Sequence, residues 1–241
     1  MQPGLYVALS GQIALERRLT TIAHNVANAG TVGFRAEGVH FASLVSGVSH
    51  FPTSFSATGG DYLSTSSGGL AQTGNPLDVA IQGNGRIAIE TPAGVAYTRD
   101  GRMRITDGGS LVTLNGHAVL DAGNAPLTVD PAAGPAAIGR DGMITQNGRQ
   151  IGAIGLFAIE TAAGYRRFEN SAVIPSTPAT PVLSFAADGF VQGFVEDSNV
   201  NPVTEMTHLI FVTRAFESLA AAIDDSSNAL RGAIQTLGSR T

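Results

Sequence analysis

Apolar residues three and four apart at both ends of this 241-residue chain restrict its fold more than any other feature, because that spacing lays one stripe along one side of a helix. At the C-terminal end they recur at Met206, Leu209, Thr213, Phe216, Ala220, Ile223, Ser227, Leu230, Ile234 and Leu237, a sustained heptad seam. Asn201-Pro202 supplies an N-cap followed by a proline where a missing N–H costs nothing, so the helix is predicted to start near Pro202 and run almost to the C-terminus. A second apolar line, Ile210, Val212, Ala215, Leu219 and Ala222, predicts two kinds of neighbour. At the N-terminal end the same spacing gives Leu5, Ala8, Gln12, Leu15, Leu19, Ile22 and Val26, with Glu16, Arg17 and Arg18 off the seam. This helix is predicted to stop around Asn28-Ala29-Gly30, where Asn and Gly tolerate a left-handed cap. A private core helix usually carries a stripe wider than two positions in seven, so the narrow seam favours packing against other chains.

Between the helices the period changes. Residues 36–74 are rich in Gly, Ser and Thr, above all from Ser54 to Gly74, which predicts a linker or extended arm. From Asn75 to about Val195, short apolar or alternating runs are separated by Asn84-Gly85, Asp100-Gly101, Asp107-Gly108, Asn115-Gly116, Asp141-Gly142, Asn147-Gly148 and Asp188-Gly189. Such pairs favour the positive dihedrals of hairpin turns. The predicted fold is mainly β with long terminal α-helices: a central all-β domain of short antiparallel strands at 75–201, an arm at 35–74, and a discontinuous coiled-coil-like helical domain from 1–34 and 202–241. The Arg99-Asp100-Gly101, Arg140-Asp141-Gly142 and Ala187-Asp188-Gly189 echoes are unevenly spaced and fit recurrent turn chemistry better than a repeat architecture.

Composition narrows the function. Cysteine is absent, so neither a disulfide nor a thiolate metal site is possible. All 14 basic residues are arginine, and with 19 acids the net charge is -5, which provides no overall basic field for nucleic acid. The opening residues lack a basic n-region, which argues against a cleavable signal peptide. No run approaches the roughly 20 apolar residues of a membrane span, so membrane insertion is not expected. Gly83-Asn84-Gly85-Arg86-Ile87-Ala88 matches a dinucleotide fingerprint, but an alternating run ending in Pro92 and Gly94 follows where a helix is required; a hairpin turn is the favoured reading. The five histidines show no paired ligand spacing, and neither a nucleophile elbow nor a P-loop is present. No catalytic residue, cofactor or metal is therefore expected.

Four segments carry a family resemblance. Ala27-Asn28-Ala29-Gly30-Thr31-Val32-Gly33-Phe34-Arg35 resembles the signature that closes the N-terminal helix of flagellar rod and hook proteins. Thr73-Gly74-Asn75-Pro76-Leu77-Asp78-Val79-Ala80-Ile81-Gln82-Gly83 and Tyr97-Thr98-Arg99-Asp100-Gly101 resemble motifs that open their β-domain, and Glu196-Asp197-Ser198-Asn199-Val200-Asn201-Pro202-Val203 resembles the segment before their C-terminal helix. Length and the opening Leu5-Tyr6-Val7-Ala8-Leu9 are most similar to proximal-rod members, with distal-rod and hook subunits as the rivals. Two positions depart from the family: Arg86-Ile87 stand where aromatics are common, and His24 where Asn or Asp is usual. The resemblance implies a non-enzymatic structural subunit of the basal-body rod, with the proximal and distal rod subunits, the flagellar type III export apparatus and further copies of itself as partners. It also implies export without a cleaved leader to a periplasmic rod. The different-class alternative is a secreted β-domain that binds or cleaves a cell-wall glycan, which would be a stable monomer with a ligand groove.

Overall fold

The computed structural model describes residues 3–46 and 53–238. Its helices, α1 (Pro3–Ala27) and α2 (Pro202–Gly238), lie at the two ends, with short strands between them. The chain forms two compact units. One holds the described residues of Met1–Ala27, Glu37–Tyr62 and Asn201–Thr241; the other holds Asn28–Ala36 and Leu63–Val200.

In the helical unit, Asn201 caps α2: its Oδ1 accepts from the N–H of Val203 (3.1 Å) and Thr204 (3.2 Å), and Glu205 sits in the first turn, where a negative charge suits the helix dipole. The α1 and α2 helices pack antiparallel. Asn25 Nδ2 donates to Glu205 Oε2 at 3.4 Å, and Gly11 lies where an added Cβ would meet Leu219 Cδ2 at 3.3 Å. Pairing 25 with 205 and 11 with 219 is one constant register; carried on, it sets Pro3 opposite Ser227 and lets the end of α2 run past the start of α1. Residues 35–74, expected as an arm or linker, instead contain β1 (Glu37–Ser46) and β2 (Thr53–Leu63), which pair as a two-stranded sheet with α1 packed on β1. Arg17 on α1 forms an ion pair with Asp61 on β2.

The β unit contains sixteen strands: β3 (Leu70–Gln72), β4 (Val79–Gln82), β5 (Arg86–Thr91), β6 (Gly94–Thr98), β7 (Met103–Ile105), β8 (Leu111–Thr113), β9 (Ala118–Val119) and β10 (Ala137–Ile138), then β11 (Met143–Gln146), β12 (Arg149–Ala153), β13 (Leu156–Ala158), β14 (Tyr165–Phe168), β15 (Ala172–Pro175), β16 (Thr180–Pro181), β17 (Gly189–Gln192) and β18 (Phe194–Glu196). A nine-stranded sheet runs β14-β15-β6-β5-β9-β8-β7, with β13 pairing β5 and β16. A three-stranded sheet, β10-β11-β12, and the pairs β17-β4 and β18-β3 complete the unit. The larger core gathers Val79, Ile81, Ile87, Ile89, Leu111, Val119, Ile144, Ile154 and Leu156, all buried; a smaller one holds Ala88, Tyr97, Leu120, Phe157 and Val173. Along β5 the residues Arg86 to Ile89 are all buried, because this central strand is covered on both faces.

The turn pairs divide into two groups. Asn147 (φ 50°) and Gly148 (φ 75°) join β11 to β12 with two positive dihedrals, as a tight hairpin requires. Asn115-Gly116 and Asp107-Gly108 also lie between paired strands. By contrast, Asn84-Gly85, Asp100-Gly101 and Asp188-Gly189 do not close hairpins. Asn84-Gly85 links β4 to β5 in different sheets, Asp100-Gly101 links the non-adjacent β6 and β7, and Asp188-Gly189 leads into β17, which pairs with β4. The β5–β6 hairpin turns instead at Pro92-Ala93.

Candidate functional site

The family-like segments 28–35, 73–79, 97–101 and 198–200 converge in the β unit, where they hold one another. After α1 ends, Thr31 donates to Asn28 through both its backbone N–H (to O, 3.0 Å) and its hydroxyl (to Oδ1, 3.1 Å). The left-handed residue is Gly33 (φ 69°), three residues beyond the Gly30 expected from sequence. Its N–H donates to the Glu196 carbonyl at 2.7 Å, and a Cβ here would overlap the backbone of Arg99 and Asp100. The chain thus passes over Arg99-Asp100 at a place only glycine fits. Gly33→Ala is expected to cost about 1–3 kcal/mol from the backbone conformation alone, with the overlap added; a calorimetric melt should show the loss.

Phe34 is fully buried, with the Arg167 guanidinium 4.5 Å from its ring centroid. Asn199 Oδ1 accepts from the Ala36 N–H (2.8 Å), while its Nδ2 donates to Ser64 Oγ (3.0 Å) and the Ser66 carbonyl (2.8 Å). Ser198 Oγ accepts from the N–H of Val200, which is itself buried. In the second segment, Asn75 Nδ2 donates to Asp78 Oδ1 (3.0 Å) and its Oδ1 accepts from the Leu77 N–H (3.2 Å). The carbonyls of Pro76 and Asp78 accept from Gln192 Nε2 (2.7 Å) and the Gly193 N–H (2.8 Å). These side chains satisfy backbone groups that no ladder reaches.

At the centre lies an ionic cluster that sequence reading missed. Glu196 is 1% exposed; its Oε2 accepts from Arg99 Nε (2.5 Å), and its Oε1 lies 2.8 Å from Arg35 Nη2 and accepts from the Gly68 N–H (3.0 Å). Arg99 Nη1 and Nη2 donate to the carbonyls of Gly85 (2.6 Å) and Ile81 (2.8 Å). Burial brings the Arg35 guanidinium down to about 10, with Arg99 adding to the fall and Glu196 opposing it. The sequence signal was faint: two of the family-like segments contain an arginine, Arg35 and Arg99, and a third opens with Glu196.

The helical unit presents the second candidate surface. Of the expected seam, Leu15, Leu19, Val26, Leu209, Phe216 and Ile223 are half-buried and Ile22 is buried, whereas Leu5 (40%) and Met206 (52%) are exposed. The side chains of Leu230, Ile234 and Leu237 lie outside the described residues. Val212 is buried on α2 and Leu219 faces Gly11, so the second apolar line supplies part of the helix contact. What the pair leaves open is a stripe on α1, Leu5, Leu9 and Ile13 with Tyr6, and another on α2, Val203, Met206 and Ile210 with Phe211. Contrary to expectation, Pro202–Ala229 is long and apolar enough by length and composition to cross a membrane. Its apolar residues are shared between the α1 contact and the exposed stripe, so each face alone looks modest in sequence.

Three family models match in chain order: flagella basal body rod protein over residues 5–35, the flagellar hook protein FlgE/F/G D1 domain over 80–146, and the flagellar basal body rod FlgEFG protein C-terminal over 191–236. The fold, its interlocked motifs and these matches define a flagellar rod or hook protein. The flagellar basal-body rod protein FlgF of Mesorhizobium japonicum is 51% identical over 241 residues, covering all of both chains. That of Rhizobium meliloti is 48% identical over 238 residues, 99% of each chain. The rod protein FlgG of Bacillus subtilis is 32% identical over 260 residues, 96% of this chain and 97% of that one. The chain belongs to the FlgF family of flagellar basal-body rod proteins, structural subunits of that rod.

Proposed function

We propose that this chain is a non-enzymatic building block of the proximal rod, joined through its helical unit to proximal and distal rod subunits and transmitting torque across the periplasm. The observation that carries this reading is the pair of exposed apolar stripes, Leu5-Leu9-Ile13 and Val203-Met206-Ile210, on helices already packed against each other. Contiguous exposed apolar residues mark interaction surfaces. Two different stripes permit a heterologous contact, and such a contact repeated with a fixed rotation and rise builds a helical tube. The seam residues Leu15, Leu19, Ile22, Val26, Leu209, Phe216 and Ile223 hold the coiled-coil-like pair within the subunit, while Leu5 and Met206 face neighbours. The overhanging end of α2, with Leu230, Ile234 and Leu237, reaches the next subunit. The family motifs, from Asn28 to Phe34, Asn75 to Asp78 and Ser198 to Asn201, fix the ends of the helices rather than forming the contact. Passage through the flagellar type III export apparatus suits a chain without cysteine, which cannot cross-link while unfolded. The 51% and 48% identity to two full-length FlgF relatives, against 32% to the FlgG of Bacillus subtilis, supports the proximal position.

The test is an epitope inserted at the exposed Asn147-Gly148 hairpin, a tip that tolerates insertion. In isolated basal bodies the label is expected on the proximal rod; label confined to the distal rod or the hook, or absent from basal bodies, contradicts the assignment.

A further inference from the structure

The ionic cluster leaves one arginine unaccounted for. Arg86 opens β5, where its backbone pairs with β13; it is 6% exposed, and its side chain donates no hydrogen bond among the described residues. Arg35 and Arg99 differ in this respect, since each has carbonyl partners and one oxygen of Glu196. Both oxygens of the Glu196 carboxylate are already engaged, by two guanidiniums and the Gly68 N–H. Arg86 lines a cavity of about 140 Å³ together with Arg35, Arg99, Asn84 and Thr65, and among the described residues no carboxylate lines it. Burial foremost, then repulsion by Arg99, Arg35 and Arg167, with only Glu196 opposing, brings the Arg86 guanidinium down to about 9.

Three arginines, Arg35, Arg86 and Arg99, line this cavity beside one carboxylate, Glu196, which already pairs with two of them. A buried cation without a partner is rarely retained, and a guanidinium presents a planar fork that matches the oxygens of a carboxylate or phosphate. We propose that this pocket binds an oxyanion, held by the Arg86 guanidinium with the Arg35 and Arg99 charges around it. The cavity is large enough to admit phosphate, sulfate or a single carboxylate. Its source is either a free inorganic oxyanion or the acidic side chain of another polypeptide.

The test is a set of thermal melts of the full-length chain with phosphate, sulfate or acetate added at constant ionic strength, in wild type, Arg86→Met and Arg86→Lys. The wild type is expected to show a melting temperature that rises and saturates with one of these anions. Arg86→Met should bind that anion at least about tenfold more weakly, the loss expected when a charged hydrogen-bonding partner is removed, while melting no lower than wild type in chloride alone. Arg86→Lys, which keeps the charge without the fork, should bind more weakly than wild type and serves where Arg86→Met does not fold. Saturation by phosphate or sulfate but not acetate identifies a free tetrahedral oxyanion; saturation by acetate identifies a carboxylate and thus an acidic side chain of another chain. No saturation in wild type with any of the three, or equal saturation in the variants, overturns the proposal.

Discussion

Glu196→Gln is expected to lower stability by about 3–5 kcal/mol, the range for removing one partner from a buried ion pair. Both carboxylate oxygens are in use: Oε1 serves Arg35 and the Gly68 N–H, and Oε2 serves Arg99. An amide in the same place turns one acceptor into a donor facing a donor. It also leaves Arg35 and Arg99 without their ion-pair partner and Arg86 without the negative charge that offsets its repulsion by its arginine neighbours. Because Glu196 bridges the segment after α1 to β6 and the strand before α2, the loss loosens the junction of three family motifs rather than one side chain. In a chain of this size each kcal/mol shifts the melting temperature by roughly 2–4 °C, so a fall of roughly 6–20 °C is expected by circular dichroism. A melt within two degrees of wild type would show that the cluster contributes little.

The second large effect lies on the helices. Phe211→Asp, at a position 64% exposed, is expected to leave the monomer folded and to abolish incorporation into the rod. An exposed substitution changes monomer stability by only about 0.5 kcal/mol. Once a neighbour covers the site, the variant forgoes about 1.5–3 kcal/mol of apolar burial and must also desolvate a carboxylate. That penalty recurs at every copy. Ile223→Asp makes a useful contrast. Ile223 is half-buried on α2; as a residue of the proposed helix seam, its replacement should weaken the helix pair itself and lower the melting temperature as well as preventing assembly, with secretion continuing in both variants.

The helices were legible because a single local rule, the three-four spacing, marks their existence, and Asn201-Pro202 marks the start of α2; which apolar line is covered was not, since Val212 of the second line is buried while Met206 of the seam is exposed. The β1–β2 pair was not. Thr53–Leu63 is poor in long apolar residues, so its strand character comes from backbone pairing with β1 and contact with α1, for instance Arg17 with Asp61, rather than from a buried face of its own. The turn pairs misled for a related reason. Asn147-Gly148 and Asn84-Gly85 are alike locally, but only the strand partners, decided by contacts far away in sequence, determine which closes a hairpin and which crosses between sheets. Of the candidate site, Gly33, Phe34, Asn75, Asp78 and Asn199 were visible as motif members, while their shared purpose was not. Arg99 and Glu196 are 97 positions apart, and nothing in either neighbourhood names the other. Arg86 stood out only as a departure from the family pattern; its burial beside three other arginines turns that departure into a candidate binding site.

The central claim, that rod contacts are made by the apolar stripes of the terminal helices, is tested most directly by the amount of chain recovered in isolated basal bodies, relative to the amount secreted, for Phe211→Asp and Leu114→Asp. Both replace an exposed apolar residue by the same charge, Leu114 being 50% exposed in the β unit. Wild-type recovery of Leu114→Asp with loss of Phe211→Asp is the predicted result; wild-type recovery of Phe211→Asp would contradict it.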